Sequence, residues 1–126
     1  MFTLIIAVIL LFHWTGDFLL QTPWMRANKS KRVLPLFLHS CVIFVTMLIA
    51  FAIIFLIMEK EVTWYNFLVI AVGSFMNATT HCFIDGVSSR LTAQLYERKD
   101  YQNFFNVIGF DQMFHLLILI SMVVDQ

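Results

Sequence analysis

Seven side chains able to ligate a metal or carry a proton sit inside or at the edge of long apolar runs: His13, Asp17, His39, His81, Asp85, Asp111 and His115. An aspartate at the centre of a membrane span costs about 2.5–3.5 kcal/mol, so such residues need a reason to be there. Six of them form three pairs at one spacing, His13-x-x-x-Asp17, His81-x-x-x-Asp85 and Asp111-x-x-x-His115. That spacing is close to one helical turn, so each pair shares a helix face. Bundle cores build metal sites in this way, with imidazole and carboxylate on facing helices. The donor set suits a divalent ion such as zinc, manganese, iron or nickel, and the lack of converging thiolates argues against copper(I) or an iron–sulfur cluster. Seven donors exceed the needs of one ion. Either two ions share the site, or some carboxylates orient the imidazoles from behind. Asp17, Asp85 and Asp111 are also the candidate catalytic groups, since one not used as a ligand can serve as general base. Gln21, Asn77, Thr80 and Gln112 are candidate hydrogen-bonding partners around the ligands.

The elements that must position these residues follow from hydropathy. The chain has 126 residues, of which 60% are hydrophobic and 13% charged, with a mean hydropathy of +0.83. A small soluble domain leaves too much of its area wet to hide that much apolar surface. The expected fold is all-α, an integral membrane four-helix bundle forming a single transmembrane domain over 1–126, with helices at about 1–20, 35–58, 66–85 and 104–124. Pro35 suits the first turn of the second helix. Glu59, Lys60 and Glu61 mark its end, and Trp64 and Tyr65 form an interfacial pair before the third. Gly86 is expected to cap or bend helix three. Beyond it, Val87, Leu91 and Leu95 stand at i, i+4 spacing, so 87–96 either extends that helix or lies on the membrane surface as an amphipathic one. The first run has no cation before Arg26, so it lacks the positive start of a signal peptide and reads as a retained helix. Cys41 and Cys82 fall in apolar runs and read as small hydrophobes.

Cations set the orientation. Arg26, Lys29, Lys31 and Arg32 lie between the first two helices, Arg90, Arg98 and Lys99 between the last two, and Lys60 alone in the remaining loop. The positive-inside rule makes 21–34 and 86–103 cytoplasmic, with both termini on the far side of a cell (inner) membrane. Helices one and three then run toward the cytoplasm with His before Asp, whereas helix four runs away from it with Asp before His. The reversal keeps every aspartate on the cytoplasmic side and every histidine about 5.4 Å deeper. His39, four residues beyond Pro35, falls at a similar depth. The zero formal net charge disfavours nucleic acid as a partner, which wants a basic patch.

The residues His13, Gly16, Asp17, Phe18, Leu20 and Gln21, followed by Met25 and Lys29, resemble the opening of a small family of bacterial and phage membrane proteins, the domain of unknown function DUF3307. The lone His39, the His81–Asp85 pair and the sequence Asp111-Gln112-x-x-His115 resemble its later pattern. The resemblance covers essentially the whole chain and implies a four-helix membrane fold without an assigned activity. A looser similarity, in histidines and aspartates at helix ends, is to predicted membrane-bound metal-dependent hydrolases.

The leading functional expectation is a metal-dependent hydrolase or transferase acting on a lipid or polyprenyl head group at the cytoplasmic face, holding one or two ions. Arg26, Lys29, Lys31 and Arg32 are the candidate head-group contacts, and membrane lipids the expected partners. Two alternatives stand beside it. One is a transporter or channel using the same residues as a metal or proton path. The other is a small regulatory membrane protein, self-associated or docked on a larger membrane complex, whose His–Asp contacts only pin the bundle.

Overall fold

The computed structural model describes residues 1–58 and 63–124 and is helical apart from short connecting turns, with no strand among the described residues. Four helices are long and apolar enough to cross a membrane. Helix α1 spans Phe2–Trp14 and runs on through a π turn at Thr15–Leu19; α2 is a short helix at Pro23–Asn28; α3 spans Val33–Ile57, α4 Trp64–Glu97 and α5 Tyr101–Val124. Helix α3 packs on α1 and α4, α4 packs on α5, and α5 closes the ring against α1. Phe37, Phe75, Phe83, Phe105 and Leu117 are more than half exposed on the outside of this ring. Apolar surface on that scale is compatible with a multi-pass membrane protein and is at odds with an aqueous surround.

Local chemistry explains the boundaries. Helix α3 is apolar, with no glycine or proline after Pro35, and begins two residues before it, so the proline ring stands in the first turn where N–H groups lack helical partners anyway. The basic stretch after α1 contains a helix that hydropathy does not reveal. Thr22 caps it by accepting the Met25 N–H at 3.2 Å, with Pro23 as its first residue, and Thr-Pro is itself a helix-start signal.

Two expectations are corrected. Helix α4 continues through Gly86 to Glu97 as one helix of 34 residues, so 87–96 extends helix three and Gly86 does not cap it. A side chain at Gly86 would meet Leu36 Cδ2 at 3.1 Å; the glycine admits the start of α3. The true stop comes later. Lys99 has a φ of 58°, and the Lys99 and Asp100 N–H groups bond back to Tyr96 and Leu95 carbonyls at 3.0 and 2.9 Å, a Schellman ending without glycine. Helix α5 starts at Tyr101, earlier than expected, because Asp100 caps it by accepting the Asn103 N–H at 3.2 Å. The Asn103 side chain and N–H hold the Asp100 carboxyl below its usual range. The expected helix-ending residues Glu59, Lys60 and Glu61 lie outside the described residues.

Inside the ring the side chains are layered. One turn from each histidine, away from the aspartates, stand Ile9, Ile43, Asn77 and Leu119, all buried. Ile5, Met47, Ala50 and Ile54 continue this apolar core toward the chain termini. Helix α1 approaches α3 closely at Gly16, where a Cβ would lie 2.6 Å from Thr46 Oγ1. Small residues at helix crossings allow such backbone approach in membranes.

Candidate metal centre

Each of the four long helices contributes one histidine to a single cluster. His13, His39, His81 and His115 are at most 3% exposed, and their rings lie with centroids 4.1 Å apart for His81–His115, 5.1 Å for His39–His81 and 5.4 Å for His13–His115. Asp17 stands at their centre. Its Oδ1 is 3.1 Å from His39 Nε2 and 3.4 Å from His81 Nε2. Its Oδ2 is 4.0 Å from His13 Nε2 and accepts the Gln112 amide at 2.9 Å.

The pairing is between helices more than within them. The i, i+4 spacing does bring Asp111 Oδ2 to 3.5 Å from His115 Nδ1. For His81, however, the carboxylate at hand is Asp17 of α1. Asp85 instead places Oδ2 3.7 Å from His39 Nε2 and Oδ1 2.6 Å from Lys29 Nζ. The π turn bears on this arrangement. The Leu20 N–H bonds to the Thr15 carbonyl at 2.9 Å, five residues back, so one extra residue enters the turn that carries Gly16 and Asp17. Such bulges recur at functional sites because they re-aim a side chain without ending the helix.

Seven of the eight imidazole nitrogens in the cluster are buried without a hydrogen-bond partner among the described residues: both of His13, His81 and His115, and Nδ1 of His39. Leaving a buried polar group unpaired costs about 1–3 kcal/mol, so seven in one place need an explanation. Neutral imidazole is a good metal ligand, and two sets of donors lie within 4.8 Å of one another: His13, Asp17 and His115, and Asp17, His39 and His81. Neither set contains a thiol; Cys41 is exposed and Cys82 half-buried, both free. These residues therefore fit a nitrogen–oxygen metal site.

A cleft of about 540 Å³ opens onto the aspartate side of the cluster. Asp17, Asp85, Asp111 and Gln112 form its floor, and Arg26 of α2 and Lys29 and Lys31 from the loop after it also line it. Gln21 lines it too, buried, with its amide nitrogen unpaired. Of the head-group candidates, Lys29 is committed to Asp85, and Arg32 sits exposed at the start of α3, apart from the cleft lining. Gln112 bridges two carboxylates, donating to Asp111 Oδ2 at 3.1 Å as well as to Asp17. Asn77 is buried on the opposite side of the histidines with its amide nitrogen unpaired. The Thr80 hydroxyl bonds the Met76 and Asn77 carbonyls of its own helix at 3.0 and 2.9 Å, and among the described residues it makes no hydrogen bond to a histidine or aspartate of the cluster. Ser88 escapes the sequence reading, yet its hydroxyl donates to Asp111 Oδ1 at 2.6 Å. The available signal was its position one turn after the Asp85 level on a helix that does not stop at Gly86.

The fold and cluster define a class, a four-helix membrane-compatible bundle with a buried His/Asp group able to hold a metal ion. Within that class the chain belongs to DUF3307, described as a protein of unknown function, whose sequence profile matches residues 5–126. No curated protein and no solved structure shows significant similarity to the chain.

Proposed function

We propose that this protein is a membrane-embedded, metal-dependent hydrolase or transferase that acts on the head group of an amphiphilic substrate, a phospholipid or polyprenyl ester, at the cytoplasmic face. The observation that carries the metal is the set of seven unpartnered imidazole nitrogens gathered around Asp17. A divalent ion held there would supply Lewis acidity toward an ester or phosphoryl oxygen and a lowered pKa for water. The protein's own groups do the rest. Asp111, held by Ser88 and Gln112, faces the cleft as the carboxylate placed to accept a proton from attacking water. In hydrolysis that water's oxygen joins the phosphoryl or acyl centre, the ester bond breaks, and the leaving alcohol takes up a proton.

Depth supports the head-group assignment. At 1.5 Å per residue, Asp85 stands about 32 Å along α4 from Trp64, and hydrocarbon is about 30 Å thick. With Trp64 and Tyr65 at one interface, the aspartates reach the opposite one. The basic residues of α2 and the loop after it then lie on the cytoplasmic side. The transport reading is disfavoured by the layer behind the histidines. Ile9, Ile43 and Leu119 make that layer apolar apart from Asn77, and the Thr46 and Ser74 hydroxyls beyond bond their own helix carbonyls.

The test is elemental analysis of protein purified in nanodiscs, followed by turnover assays on phospholipid and polyprenyl phosphate with and without chelator. Bound zinc, manganese, iron or nickel is expected, together with chelator-sensitive release of head group. His81→Ala and His115→Ala should lose metal and thermal stability together, because binding free energy adds to folding free energy. A metal-free wild type whose melting temperature ignores chelator would refute the metal reading. Metal without turnover would favour a regulatory role.

A further inference from the structure

The two donor sets share one residue, and that residue uses a different oxygen for each. Asp17 Oδ1 faces His39 and His81, whereas Oδ2 faces His13. The four imidazoles do not form one group of mutually close ligand atoms with Asp17; they divide into two, His39 with His81 and His13 with His115. We propose that the cluster is a dinuclear centre in which the Asp17 carboxylate bridges two divalent cations, one held by His39 and His81, the other by His13 and His115. This rests on the metal reading above and specifies its stoichiometry and the ligands of each ion.

Bond lengths discriminate between the two halves. Zinc–ligand bonds of about 2.0–2.1 Å in a tetrahedron put neighbouring donors about 3.3 Å apart. The Oδ1 separations of 3.1 Å to His39 and 3.4 Å to His81 already match that edge. The Oδ2 separation of 4.0 Å to His13 does not, so the second half must close by more than half an ångström. The first site is therefore the tight one. Asp85 Oδ2, buried, unpartnered and 3.7 Å from His39 Nε2, stands ready as a further ligand on that side. On the other side Asp111 faces His115 Nδ1 at 3.5 Å and can orient its ring, leaving Nε2 for an ion. A carboxylate has about four lone-pair directions, so bridging leaves room for the Gln112 hydrogen bond on Oδ2. Two divalent ions would also give the cleft floor a net positive charge, suited to an anionic head group.

The experiment is titration of metal-stripped protein in nanodiscs with zinc, read as bound metal per chain, and with cobalt(II), read by absorption and electron paramagnetic resonance. Wild type should bind two equivalents, the second at least tenfold more weakly. The cobalt signal should rise to one equivalent and then fall as the second spin couples to the first. His115→Ala should keep the tight equivalent and lose the weak one, and His39→Ala should lose the tight one. Should these variants fail to fold, the wild-type stoichiometry and spin coupling decide alone. Saturation at one uncoupled equivalent, or loss of all metal in both variants, would overturn the dinuclear centre while leaving the metal reading intact. No metal uptake at all would overturn both.

Discussion

Replacing Gly16 by alanine adds one methyl group at the point where α1 and α3 come closest. The new Cβ would stand 2.6 Å from Thr46 Oγ1 and 3.0 Å from Ile43 Cδ1. Thr46 cannot turn aside freely, because its hydroxyl is bonded to the Val42 and Ile43 carbonyls at 3.1 and 3.0 Å. Restoring ordinary contact, which begins at 3.4 Å, requires about 0.8 Å of separation between the helices. Overpacking of this kind costs about 1–3 kcal/mol. Alanine returns about 0.5–1 kcal/mol through backbone entropy, so the net loss reaches about 2.5 kcal/mol at the upper end and about 1 kcal/mol at the middle of both ranges. The larger effect falls on the neighbouring residue. Asp17 would move with the π turn relative to His39, which it meets at 3.1 Å, and metal sites tolerate only about 0.2 Å of error. Gly16→Ala should therefore melt at lower temperature and bind metal more weakly, measured by thermal unfolding in nanodiscs and by zinc titration. Gly109→Ala, with nothing within 4 Å, is the silent control. Adding Thr46→Ala to Gly16→Ala should recover much of the loss. A Gly16→Ala protein that matches wild type in both assays would refute the close-packing argument and the link from α3 to the site.

Lys29→Met removes the cation from Asp85, whose side chain is 5% exposed, and an unpaired buried charge destabilises by about 3–5 kcal/mol. Chemical denaturation should detect that loss, and Asp85→Asn in the same chain should relieve most of it. Thr80→Val should leave metal content and melting temperature nearly unchanged, because the hydroxyl serves only its own helix; a drop in bound metal would return Thr80 to the site. Reporter fusions after Arg32 should read cytoplasmic and after Lys60 non-cytoplasmic, and the opposite pattern would invert the face on which the cleft opens.

Hydropathy and spacing in the chain alone are enough to determine the four helices of spanning length and the level at which the histidines stand along them. The reason is geometric. A bilayer sets the length of a span, a helix turns in a fixed number of residues, and the Asp111–His115 reversal keeps the histidines level through a change of direction. Those rules say how deep a side chain lies and leave open which way it faces. The facing was decided only by the tertiary structure. Crossings at Gly16 and Gly86 are set by atoms of α3, Thr46 and Leu36, that no local pattern in α1 or α4 reveals. For that reason Gly86 reads as a helix stop in sequence and serves as a contact surface in the fold. The π turn likewise has no signature in the sequence of α1, yet Asp17 sits within it. The pairings follow from these crossings: Asp17 with His39 and His81 across helices, and Asp85 with Lys29 from a basic stretch read in sequence as head-group contacts. Four residues of spacing can bring two side chains to one face, but only the packing of four helices brings four imidazoles to one carboxylate.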